Sequence, residues 1–99
     1  MINITSKQRA YLRGLANTID AIFQIGKSGI SNALIKQLND ALEARELIKI
    51  SVLETAPSNA RAMAEQISIQ TNSIVVQTVG SKITLYKPRK KNSKIVLPK

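Results

Sequence analysis

A chain of 99 residues, 43% of them hydrophobic, is sized for one domain built around one core. The absence of Cys and His excludes disulfides, thiol nucleophiles, zinc held by their side chains and imidazole acid–base chemistry. A formal charge of +9 is spread unevenly. Lys7, Arg9 and Arg13 stand without an acid over residues 1–13, residues 14–81 are almost balanced, and Lys82, Lys87, Arg89, Lys90, Lys91, Lys94 and Lys99 close the chain without an acid. Charge gathered at both ends of a nearly neutral middle points to a polyanionic partner, because each cation placed on a phosphate releases condensed counterions.

Thr5 or Ser6 can cap a first helix running to about Ala16, with Leu12, Leu15 and Ala16 facing inward. Lys7, Arg9 and Arg13 are then left on its outer surfaces. Residues 21–25 (AIFQI) are short, apolar and β-prone, and read as a strand. Gly26-Lys27-Ser28-Gly29 interrupts it, and Ser31 is a good N-cap for a second helix on which Leu34, Leu38, Ala41, Leu42 and Arg45 recur at helical spacing. Residues 47–53 (LIKISVL) read as a largely buried strand. Pro57 suits the first turn of a third helix with an apolar stripe of Ala60, Met63, Ala64 and Ile67, stopped by a left-handed Asn72. Residues 73–79 and 82–87 then form a hairpin across Gly80-Ser81, glycine first. The order α-β-α-β-α-β-β predicts an α+β fold of two layers, a four-stranded mixed sheet with helices. Residues 1–87 form the domain and residues 88–99 a flexible basic tail.

The apolar runs are too short to cross a bilayer and the N-terminus lacks a signal-peptide pattern, so a cytoplasmic monomer is the expectation. With three aromatics in all, Tyr11, Phe23 and Tyr86, the core must be aliphatic, and stacking of bases on an aromatic sheet is poorly supported. The acids Asp20, Asp40, Glu43, Glu46, Glu54 and Glu65 form no catalytic constellation, and no apolar pocket is evident near the helix end that carries Glu43 and Glu46. No cofactor, metal or small-molecule substrate is expected.

The sharpest local pattern is strand, Gly26-Lys27-Ser28-Gly29, helix. Two glycines permit positive φ and close backbone approach, the following helix presents free N–H groups, and Lys27 adds charge, so a phosphate is the natural guest. A tight turn with a solvated lysine accounts for the same residues. The GXXG loop of KH domains clamps a nucleic-acid backbone but joins two helices, whereas this one joins a strand to a helix. Arg9 and Arg13 share a helical face that could continue a phosphate track, or be ordinary solvated surface. Lys82, Lys87, Arg89, Lys90 and Lys91 resemble a sequence-blind electrostatic arm. Tyr86 among them fits half-buried packing better than base stacking.

The runs TSKQRAYLRGLA, IFQIGKSGI, ALEARELIKISVL and VGSKITLYKP together closely resemble the bacterial YhbY-type proteins. These are stand-alone forms of the CRM domain, named for chloroplast RNA splicing and ribosome maturation, and the resemblance spans roughly residues 2–88. It implies an RNA-binding domain associated with precursors of the large ribosomal subunit. The implied fold is similar to the C-terminal domain of translation initiation factor three, with an extra first helix and the last strand lying antiparallel between the second and third. The family's GxxG loop falls on Gly26, Lys27, Ser28 and Gly29, flanked by Lys7, Arg9, Arg13, Lys82 and Lys87. With Arg89 these make the expected RNA-binding set. Helix three departs from the charged pattern of the family, since Arg61 and Glu65 are its only charges. Two other readings are a module docking on an acidic ribosomal or translation partner, and an architectural DNA binder.

Overall fold

The structure, a computed structural model, describes residues 4–89 and 95–98. In chain order it comprises α1 (Ser6–Ala16), β1 (Phe23–Ile25), α2 (Asn32–Arg45), β2 (Leu47–Val52), α3 (Ala60–Thr71), β3 (Ile74–Val79) and β4 (Lys82–Tyr86). Local chemistry sets most boundaries. Thr5 closes a capping box on α1, its Oγ1 accepting from Gln8 N–H at 3.1 Å while its own N–H donates to Gln8 Oε1 at 3.0 Å. Ser31 Oγ accepts from Leu34 N–H at 3.1 Å and starts α2. The third helix begins later than Pro57 suggests: Asn59 is its N-cap, with Oδ1 accepting from Ala62 N–H at 2.9 Å. Asn72 ends it in the left-handed region, φ 55° and ψ 44°, as expected. The first strand is shorter than residues 21–25, although Ile22 N–H still donates to Lys49 O at 2.9 Å.

The sheet order is β1-β2-β4-β3, with β1 and β2 parallel and β4 antiparallel to both β2 and β3. The last strand therefore lies between the second and third, as the resemblance implies. Strand alternation sorts the side chains to two faces. Ile25, Ile48, Ile50, Val52, Ile83 and Leu85 meet Leu38 and Leu42 of α2 and Met63, Ala64 and Ile67 of α3 in the main core. Full burial of each such aliphatic side chain contributes about 1.5–3 kcal/mol. Leu47, Val76 and Tyr86 point the other way and meet Leu12 and Ala16 of α1. The expected two layers are the sheet with α2 and α3; α1 extends them on the opposite face.

Strand directions give the sheet two unlike ends. The loop after β1, the loop between β2 and α3 and the Gly80-Ser81 turn share one end, because Ile25 pairs with Val52 while Ser51 and Val79 both pair with Lys82. The α1 cluster occupies the other, where Leu47 and Ile74 both pair with Tyr86. Ile95 and Leu97 pack against that cluster, and Gln8 Nε2 donates to Pro98 O at 3.0 Å. Residues 90–94 and 99 of the expected tail, which include Lys90, Lys91, Lys94 and Lys99, lie outside the described residues.

Candidate nucleic-acid interface

The glycine loop is a turn closed by Gly29 N–H donating to Gly26 O at 2.9 Å. Its two glycines are not equivalent. Gly29 has φ +65°, and a Cβ there would sit 2.9 Å from Pro57 Cγ; Gly26 has no positive φ, and a Cβ would make ordinary contacts of 3.5 Å to Leu53 and 3.6 Å to Thr55. The bare side of both glycines therefore backs onto the chain's own 53–57 loop. At Gly29 close backbone approach therefore serves packing against Pro57. The exposed part of the loop is its tip, Lys27 and Ser28. Just beyond it the α2 N-terminus begins at Ser31.

At the same end of the sheet, the face opposite α2 and α3 turns polar. Strand register places Gln24, Ser51 and Lys82 in one row and Lys49 and Thr84 in the next. Gln24 and Lys82 are exposed, Lys49 is half-buried, and Ser51 and Thr84 form a buried floor. Lys82 Nζ donates to Ser51 Oγ at 3.1 Å, so this cation lies across the sheet beside the loop end.

The other expected cations lie toward the α1 end. Arg9 is not on an outer surface. β3 is an edge strand with a bulge that leaves Val76 unpaired, and Arg9 Nη1 donates to the carbonyls of Val75 at 2.6 Å and Val76 at 2.8 Å. A cation thus closes carbonyls that the sheet itself leaves open. Arg9 and Arg61 also line an open groove along this edge with Glu65 and Ser68, which places the charges of α3 beside α1. Lys87 Nζ donates to Thr71 O at 3.0 Å, at the negative end of the α3 dipole. Lys7 and Arg13 are exposed on α1. The structure therefore puts Lys82 at the same end of the sheet as the glycine loop and sets Arg9, Lys87 and Arg89 near the opposite end.

Glu46 was hidden from sequence reasoning. Its spacing from Glu43 suggests a solvated helix end, yet it is fully buried at φ 66°. Its carbonyl accepts from Lys87 N–H at 2.8 Å, and its Oε2 lies 3.5 Å from Arg89 N–H. Burial, and secondarily the Glu46 charge, push the Tyr86 phenol above its ordinary pKa. Tyr86 is a packing residue, as its place on a strand suggests. Lys49 gives no signal of its own in the sequence, because only the strand register reveals which face it shares with Lys82.

A helix-flanked mixed sheet with a basic glycine turn at one end defines a small α+β scaffold. The family description CRS1 / YhbY (CRM) domain matches residues 4–87. The chain belongs to that family. It is 45% identical to the Probable RNA-binding protein YqeI of Bacillus subtilis over 95 residues, covering 96% of this chain and 99% of that one. It is 29% identical to an RNA-binding protein of Haemophilus influenzae, covering 100% of this chain and 99% of the relative. Among solved structures, SAV1595 from Staphylococcus aureus superposes with a TM-score of 0.81 at 49% identity, covering 97% of this chain and 100% of that one. Among the described residues, no helix is long and apolar enough to cross a membrane.

Proposed function

We propose that the chain is a non-catalytic RNA-binding protein that holds phosphate backbone at the glycine-loop end, and that its RNA belongs to precursors of the large ribosomal subunit. The observation that carries the reading is that Lys27, at an exposed turn tip before a helix N-terminus, and Lys82, on the polar sheet face, share one end of the sheet. The family and the names of its members support RNA as the partner. The ribosomal role rests on the resemblance to YhbY-type proteins. In this reading Lys27 and Ser28 contact a phosphate, and Lys82 and Lys49 carry the strand across the sheet. Arg13 and Lys7 add charge from α1, while Arg9 and Lys87 chiefly hold the frame. Contacts of this kind position RNA without reading its sequence.

The test is a filter-binding titration of a large-subunit rRNA fragment at several salt concentrations. Lys27→Ala weakens binding and makes the log–log salt slope shallower by about 0.7–0.9, one phosphate contact, with an unchanged melting temperature. A slope equal to that of the wild type removes the loop from the site.

A further inference from the structure

On the same sheet face as Lys49 and Lys82, the segment between α1 and β1, tied to β2 by Ile22 N–H donating to Lys49 O, borders an open cleft of about 500 Å³. Its walls are aliphatic, from Leu15, Ile19 and Ile22, and Ile95 of the C-terminal segment closes one side. Ile22 remains 37% exposed, so its apolar surface is not used up by the chain's own packing. Three charges share the lining: the carboxylate of Asp20 and the cations of Arg45 and Lys49.

We infer that this cleft takes one unstacked nucleobase, guanine in preference to the others, with Asp20 reading its edge and Arg45 and Lys49 holding the flanking phosphates. The inference rests on the RNA-binding reading above and adds to it a site that distinguishes bases. An unstacked base has two apolar faces and a polar edge, and sites that receive one sandwich it between apolar side chains and hydrogen-bond its Watson–Crick edge. Aliphatic walls with a single carboxylate match that division. Guanine alone presents two adjacent N–H donors on that edge, which one carboxylate can accept together. The cleft is also continuous with the proposed phosphate path. Lys49 at its rim is two residues along β2 from Ser51, a step of about 7 Å, and Ser51 pairs with Lys82. A strand crossing from the glycine loop over Lys82 and Lys49 therefore arrives at the cleft. The charges also explain why an apolar opening suits a nucleotide better than an aliphatic peptide: two cations flank it on a chain of net charge +9.

The experiment uses the full chain and three short single-stranded RNAs: an oligouridylate, and the same strand with a central guanosine or adenosine. The wild type binds the guanosine strand about tenfold more tightly than the other two, as one bidentate pair provides. Asp20→Asn abolishes that preference, so that the three strands bind alike, and leaves the melting temperature as in the wild type, because Asp20 is exposed. Equal binding of all three strands by the wild type, or a guanosine preference that survives Asp20→Asn, overturns the inference. A wild type that ignores these strands yet binds a structured rRNA fragment removes the cleft and leaves the phosphate-binding reading standing. If neither RNA is bound, both fail.

Discussion

The two ends of the sheet use positive charge in different ways. At the α1 end, Arg9 and Lys87 direct their head groups onto backbone carbonyls that the edge strand and the α3 terminus leave unsatisfied. At the glycine-loop end, Lys27 is exposed at a turn tip and Lys82, itself exposed, donates to the hydroxyl of Ser51 in the floor of the sheet face. A cation closing part-buried carbonyls stabilises the fold, since removing it leaves acceptors that water reaches only in part. A cation resting in solvent contributes little to stability and remains available to a polyanion. Total charge does not separate these uses; the partner of each head group does.

Substitutions can break the comparison. Arg9→Met should have the largest effect on folding, about 3 kcal/mol in urea denaturation, because two charge-assisted bonds to the β3 bulge are lost together. A loss below about 0.5 kcal/mol would place Arg9 with the solvated cations instead. Gly29→Ala comes next at about 2 kcal/mol, since alanine must adopt positive φ against Pro57. Gly26→Ala, meeting only ordinary contacts, should be close to neutral. Equal losses at the two glycines would mean that the asymmetry of the loop has been misjudged.

The smallest effect is one of pH. Tyr86 has its pKa raised above 10.0 by burial and by Glu46, so the folded state holds the phenolic proton more tightly than the unfolded chain does. That contribution is complete below pH 10.0 and is lost as pH rises through the folded value. Thermal melts should therefore show wild-type stability declining above pH 10.0 more steeply than that of Tyr86→Phe. Parallel declines would remove Tyr86 as the cause.

The elements were legible because their signals are local. Thr5 or Ser6 can cap the first helix, Ser31 precedes an apolar helical stripe, Asn72 tolerates the left-handed stop, and glycine comes first in the Gly80-Ser81 turn. The strand order came from the resemblance, because no local pattern states which strand is central. What stayed hidden depends on contacts distant in the chain. Pro57 resembles a helix start, yet its ring packs on Gly29 and Asn59 makes the cap. Arg9 looks like the exposed partner of Arg13 until a bulge some 66 residues away presents two carbonyls to it. Glu46 reads as one more acid on a solvated helix end, and only the assembled sheet buries it. For the candidate site, the glycine loop, Lys27 and Lys82 could be named from sequence. Their separation from Lys87 and Arg89 required strand direction, because β4 carries the chain from one end of the sheet to the other.

The most direct test of this division of charge is a crossed pair of measurements on Lys27→Ala and Arg9→Met: the salt dependence of affinity for one rRNA fragment, beside the urea midpoint. The account predicts a flattened salt slope with an unmoved midpoint for Lys27→Ala, and a lowered midpoint with an unmoved slope for Arg9→Met. The reverse pattern, with Arg9 setting the slope and Lys27 the stability, would contradict it.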